Sequence, residues 1–231
     1  AVSGVVWYQG ESNTGNPAPY ADYLKKLMGC WRDRWQNQQM PFVIVQLANY
    51  DGRQQTGFPR PITPQTEPMN SGWASLREAQ RIVAKADSYA ELAVINDLGE
   101  TVDIHPLRKK EVAERVGQCF DRLIYNNKVL LSPEVVTSKV NDNSIVLTLD
   151  QPVQPGEVYE FEVAAWDGDK VFQNIVASAA GNQITLTLPQ DFHPMSKTYA
   201  VRYAWKDNPI KANVRSLSGL PMSSFELIIN K

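Results

Sequence analysis

Pro41-Phe42-Val43-Ile44-Val45-Gln46-Leu47 is the stretch that decides the fold. It is a continuous apolar run entered through a proline. A strand of this kind has no water-facing side, which suits a parallel sheet covered on both faces. Working outward, Val5-Val6-Trp7-Tyr8 is a short apolar run ending at Gly10, and Leu92-Ala93-Val94-Ile95 is another buried strand. Helical patterns alternate with these runs. Tyr20, Tyr23, Leu24, Leu27, Met28, Trp31 and Trp35 recur at three- and four-residue spacing. Trp73, Leu76, Gln80 and Val83 share one helical face, with Ser71 or Asn70 as the N-cap. Val112, Val116, Cys119, Phe120, Leu123 and Ile124 form the last apolar stripe. The rhythm predicts an α/β fold, a parallel sheet with helices, over residues 1–130.

Around Ser132-Pro133 the rhythm changes. Residues 131–231 carry short segments of period two: Ile145–Leu149, Tyr159–Val163, Ile184–Leu188, Tyr199–Tyr203 and Phe225–Ile229. Asn141-Asp142-Asn143, Pro155-Gly156, Asp167-Gly168-Asp169 and Gly181-Asn182 punctuate them. That pattern predicts a small antiparallel β-sandwich. Between Asn49 and Asn70 there is no periodicity, and Pro59, Pro61, Pro64 and Pro68 forbid a long helix. The segment follows the carboxyl end of a buried strand, where open α/β sheets bind ligands.

The chain has 231 residues, 43% hydrophobic and 21% charged, enough to bury a sizeable core. A formal net charge of −2 gives no basic excess, so no footprint for nucleic acid. No apolar run approaches the ~20 residues of a membrane span. The two cysteines, Cys30 and Cys119, both fall on apolar helical sides and read as buried small hydrophobes. No Cys/His cluster has metal-ligand spacing, and no cofactor is expected. The chain opens Ala1-Val2-Ser3-Gly4 and enters a strand almost at once, which reads as a cut or processed chain.

Two short stretches could carry chemistry. In Asp103-Ile104-His105-Pro106, an extended segment would put carboxylate and imidazole on one side, and Pro106 suits the first helical position. Such a pair fixes the His tautomer and frees the other nitrogen as a general base. The plainer alternative is a surface histidine before a helix. Asp191-Phe192-His193-Pro194 has the same form but lies in the β-rich half, and reads as a turn. In Gln9-Gly10-Glu11-Ser12-Asn13, Gly10 permits unusual backbone angles and Gln9 can offer an N–H to a developing oxyanion. Its alternative is an amide that satisfies loop backbone. Gly10-Glu11-Ser12-Asn13-Thr14 resembles the G-x-S-x-G elbow, but Thr14 replaces the second glycine and Glu11 opposes an alkoxide, so Ser12 is not read as the nucleophile.

The blocks WYQGESN (Trp7 to Asn13), SGWASLREAQ (Ser71 to Gln80), DIHPLRKKEVAERV (Asp103 to Val116), VRYAWKDNP (Val201 to Pro209) and GLPMSSF (Gly219 to Phe225) make the chain resemble the sialate O-acetylesterase family of SGNH hydrolases. The resemblance implies a three-layer α/β esterase domain with β-rich companions. It implies removal of O-acetyl groups from sialic acids or related sugars without metal. It implies His105 as general base, Asp103 as its partner, and Gln9 with the Gly10 amide at the oxyanion; Lys109, Arg77 and Gln80 match without a chemical role assigned. The family's Gly-Gln-Ser-Asn-Met block, which carries the nucleophilic serine, has no match here. The segment before Gly219-Leu220-Pro221, asparagine-rich in the family, is altered to Lys211-Ala212-Asn213-Val214-Arg215-Ser216.

The expectation is therefore a Ser-His-Asp esterase portion whose serine lies elsewhere, inactive by itself. Its partners would be an O-acetylated sugar and the missing N-terminal part of the same polypeptide, and its location periplasmic or secreted. The rival reading is a non-catalytic carbohydrate-binding or scaffolding module, with Tyr50, Phe58, Trp166 and Trp205 as a sugar platform.

Overall fold

The structure, a computed structural model, describes residues 2–51, 71–168, 170–190, 192–193 and 195–231. The chain divides into two compact units, Ala1–Leu131 with Lys206–Asn208, and Ser132–Trp205 with Pro209–Lys231. Lys206–Asn208 thus belong to the first unit, although their chain neighbours belong to the second.

In the first unit β1 (Val5–Trp7), β2 (Phe42–Val45) and β3 (Ala90–Ala93) form a parallel sheet in that order. The centre is β2, buried at all four positions. Its alternation splits the core in two. Phe42 and Ile44 join a cluster with Tyr20, Leu24 and Met28 of α1 (Tyr20–Arg34) and Leu76 and Val83 of α2 (Gly72–Lys85). Val43 and Val45 join another with Val112 and Cys119 of α3 (Lys109–Tyr125). A strand apolar on both sides demands helices on both sides, and the sequence supplies them.

Ser71 caps α2, its Oγ accepting from Ala74 N at 2.9 Å; Asn70, the alternative cap, lies outside the described residues. Pro106 does not open α3. The helix starts at Lys109, and Pro106 is buried in the loop before it. Cys119 is buried, and desolvation pushes its thiol up to about 12. Cys30 is exposed, contrary to the reading of both cysteines as core, because its helix turns that side to solvent.

The second unit has two antiparallel sheets, ordered β4-β5-β10-β9-β6 and β12-β11-β7-β8. Their strands are β4 (Val135–Asn141), β5 (Ser144–Leu149), β6 (Gly156–Val158), β7 (Phe161–Ala165), β8 (Gln173–Asn174), β9 (Val176–Ala180), β10 (Gln183–Thr187), β11 (Thr198–Tyr203) and β12 (Phe225–Asn230). Ile145 and Leu147 of β5, Ile184 and Leu186 of β10, Val163 of β7 and Val201 of β11 share one core. The run Tyr159–Val163 is not a single strand. Glu160 takes φ 66°, which ends the extended chain between β6 of one sheet and β7 of the other.

Among the described residues of the first unit β1 is an edge strand, and its flanks are apolar. Val6 is 49% exposed and Trp35 51% exposed, and a hollow of about 260 Å³ is lined by Val2, Gly4, Val5, Trp31, Trp35 and Met40. Such an edge invites strand pairing. Sedimentation velocity should therefore show a larger species that grows with concentration and that Val6→Lys suppresses. One concentration-independent monomer would contradict this.

Candidate functional site

Past the ladder that ends at Trp7 and Ile44, the β1 chain enters the Gln9–Asn13 loop. Gly10 is buried with φ 152°, beyond the reach of other residues without strain. A Cβ there would lie 2.5 Å from Leu76 Cδ2 and 3.3 Å from Leu47 Cδ2. The loop is thus pressed against α2 and the end of β2, with no room for a side chain at its hinge. Glu11–Asn13 then form one 3-10 turn.

Gln9 is held from several sides. Its carbonyl accepts from Tyr20 Oη at 2.8 Å and from Gln80 Nε2 at 3.0 Å. Its Nε2 donates to Asn13 Oδ1 at 2.7 Å. The Gly10 N–H has no partner among the described residues. The loop therefore offers a backbone donor and a side-chain donor from adjacent residues. Ser12 is exposed and hydrogen-bonds no histidine among the described residues.

Asp103 and His105 sit in the loop between β3 and α3. They meet through a turn rather than an extended segment. Asp103 Oδ1 accepts from His105 N at 2.9 Å and lies 3.4 Å from His105 Nδ1. One carboxylate oxygen so addresses both the backbone and the ring, and ring nitrogen Nε2 has no partner among the described residues. The pair is open to water, with side chains 86% and 54% exposed for His105 and Asp103. No hydrogen bond joins the His105 ring to Gln9 or Gly10 among the described residues. The two stretches approach through Lys109, whose Nζ lies 5.1 Å from the centre of the Tyr8 ring. The Tyr8 phenol is pushed up to about 12 by burial, with the Glu11 charge adding to it.

A partly buried polar clasp, unread in the sequence, secures the loops at the carboxyl ends of β2 and β3. Asn49 Oδ1 accepts from Gly99 N at 2.7 Å, and Asn49 Nδ2 donates to Asn208 Oδ1 at 2.8 Å. Asn208 Nδ2 donates to Thr101 Oγ1 at 3.1 Å, and Asp51 N to Thr101 O at 2.9 Å. Ser71 Oγ donates to Asp207 Oδ1, and Arg77 Nη2 to Lys206 O. Arg77 is wholly buried, which pushes its guanidinium down to about 10 against the pull of Asp207. Arg77, Asp207 and Asn208 lie in stretches already singled out for their resemblance, but a buried partner leaves no trace in spacing.

The proposed sugar platform does not survive for Trp205, which is 9% exposed with the Arg202 guanidinium 4.8 Å from its ring. Tyr50 is half-buried against Trp73 at 5.2 Å between ring centres, and Phe58 lies outside the described residues. His193, with φ 41°, belongs to the turn between β10 and β11; Asp191 and Pro194 beside it lie outside the described residues. Among the described residues no cluster of three or more His, Cys, Asp or Glu side chains could hold a metal.

Gly10→Ala should destabilise the first unit by about 1–3 kcal/mol, because a methyl must displace Leu76 at an unfavourable φ. Urea unfolding followed by tryptophan fluorescence measures it. An unchanged midpoint would contradict the packing described.

Residues 1–88 match the family model described as carbohydrate esterase, sialic acid-specific acetylesterase. A crystal structure of a carbohydrate acetylesterase from Xanthomonas citri is similar, with a TM-score of 0.82 and 28% identity over 98% of this chain and 50% of that one. This chain therefore spans about half the length of that protein's. Comparison with curated proteins gives no match. With the α/β unit, the β-rich unit and the WYQGESN block in place, the chain is similar to carbohydrate acetylesterases, its residues 1–88 matching the sialic acid-specific acetylesterase family.

Proposed function

We propose that this chain supplies the general base, its carboxylate partner and the oxyanion donors of a carbohydrate O-acetylesterase, with the serine nucleophile contributed by polypeptide outside these 231 residues. The observation that carries the reading is the Asp103–His105 turn, in which one carboxylate oxygen faces Nδ1 and leaves Nε2 open. An exposed pair of this kind adds little to stability. Its contribution is orientation, which is what a base of this type requires.

The serine hydroxyl attacks the acetyl carbonyl carbon while His105 Nε2 takes its proton. Asp103 stabilises the resulting imidazolium. The carbonyl oxygen becomes an oxyanion that accepts from Gln9 Nε2 and Gly10 N. The bond to the sugar oxygen then breaks, and that oxygen takes the proton back from His105. Water repeats the sequence on the acetyl-serine, releasing acetate and restoring the hydroxyl. One oxyanion donor of this kind typically lowers the barrier by about 2.7–4 kcal/mol.

Sialic acid or a related sugar as the alcohol is supported by the family description matched over residues 1–88. The partner polypeptide would meet the first unit along the β1 edge, where Val6 and Trp35 stand exposed. Export to the periplasm or beyond fits an enzyme that acts on glycans.

By this account the 231-residue chain hydrolyses an activated acetate ester no faster than its Asp103→Asn/His105→Ala variant. A longer form that includes a Gly-Gln-Ser-Asn-Met block should deacetylate O-acetylated sialic acid, and His105→Ala should lower kcat by about 10⁴-fold or more. His105-dependent turnover by the short chain would place the nucleophile within it, with Ser12 the first suspect. A longer form indifferent to His105→Ala would remove the base.

A further inference from the structure

The β1–β2 ladder stops at Trp7 and Ile44, yet the two chains run on to Gln9 and Leu47. One side chain spans them. Gln80, fully buried on α2, accepts from Leu47 N through Oε1 at 2.9 Å. Its Nε2 donates to Gln9 O at 3.0 Å and stands 3.4 Å from Val45 O. A primary amide has an acceptor at one corner and two donors at the other, so it can stand in for a peptide unit between diverging strands. The partners also fix its orientation, because an N–H meets only oxygen and a carbonyl meets only nitrogen.

Tyr20 completes the frame. Its one hydroxyl proton is shared between Gln9 O at 2.8 Å and Gln9 Oε1 at 3.2 Å, and its oxygen accepts from Trp7 Nε1 at 3.2 Å. The Gln9 side chain therefore has its oxygen on the Tyr20 side and its nitrogen on Asn13. One Nε2 hydrogen goes to Asn13, and the second has no partner among the described residues. A glutamine free to flip would present its oxygen to an oxyanion part of the time and repel it. This one is held with the donor end fixed before substrate arrives, which is the condition for electrostatic preorganisation.

We infer that Gln80 and Tyr20 are positioning residues that set the Gln9 amide in a single orientation: Gln80 fixes the Gln9 backbone between the strand ends, and Tyr20 holds the side-chain oxygen. The use of that amide as an oxyanion donor rests on the esterase reading above. Its fixed orientation does not.

The experiment is NMR of the Gln9 side-chain amide in the 231-residue chain, assigned by its loss in Gln9→Glu. The wild type should show Nε2 proton shifts displaced from those of a free glutamine amide, with cross-relaxation to Asn13. Tyr20→Phe removes only a hydroxyl, so the backbone spectrum should stay folded while the Nε2 shifts move toward free-amide values and the cross-relaxation to Asn13 weakens. Gln80→Met should do the same wherever it folds. Gln9 signals unchanged in folded Tyr20→Phe would overturn the inference. The readout needs no ester hydrolysis, so failure of the esterase reading would leave it standing, and the reverse also holds.

Discussion

The complete burial of β2 is the constraint on which the first unit depends. With Phe42 and Ile44 on one face and Val43 and Val45 on the other, all without exposure, the strand has no side to give to water. Its neighbours must be parallel strands and its covers must be helices. Polar groups are then confined to the strand's carboxyl end, where Gln46, Asn49 and Asp51 follow directly, each buried. Buried polar groups persist only when paired. Arg77 O accepts from Gln46 Nε2, Asn208 Oδ1 accepts from Asn49 Nδ2 and Thr101 O accepts from Asp51 N, and these bonds shape the loops that carry the candidate site.

The two halves of the site are built differently. The Gln9–Gly10 side is set by deep packing: Leu76 and Leu47 leave no space at Gly10, and Gln80 ties the loop to β2. The Asp103–His105 side is set by a local turn at the surface, with the clasp of Asn49, Asn208 and Thr101 behind it. The proposed donor is anchored against the core, and the proposed base stands where water reaches it. Both arrangements suit the proposed chemistry.

Much of this was legible in the sequence because it is periodic. The apolar run Phe42–Val45, the spacing of α1 and the alternation of β5 and β10 all report which sides are buried. The α/β sheet and the antiparallel β-rich part follow from them. Strand β9 was hidden, since Val176-Ala177-Ser178-Ala179-Ala180 buries only alanines and carries little β-branched signal. The start of α3 at Lys109 is not legible, because Pro106 suits a first turn as well as the loop it occupies. Of the candidate site, Gln9, Gly10, Asp103 and His105 stand out as residue types at short spacing. Tyr20 and Gln80 looked like members of helical stripes, and their polar ends find Gln9 only after folding brings positions 9, 20 and 80 together.

The central claim is that Asp103 holds the His105 ring by Nδ1 so that Nε2 is free to take a proton. The most direct measurement is nitrogen-15 NMR of the His105 imidazole at a pH where the ring is neutral. The account predicts a predominant Nδ1–H tautomer that Asp103→Asn shifts back toward the mixture of free imidazole. A ring already predominantly Nε2–H, or one indifferent to Asp103→Asn, would contradict it.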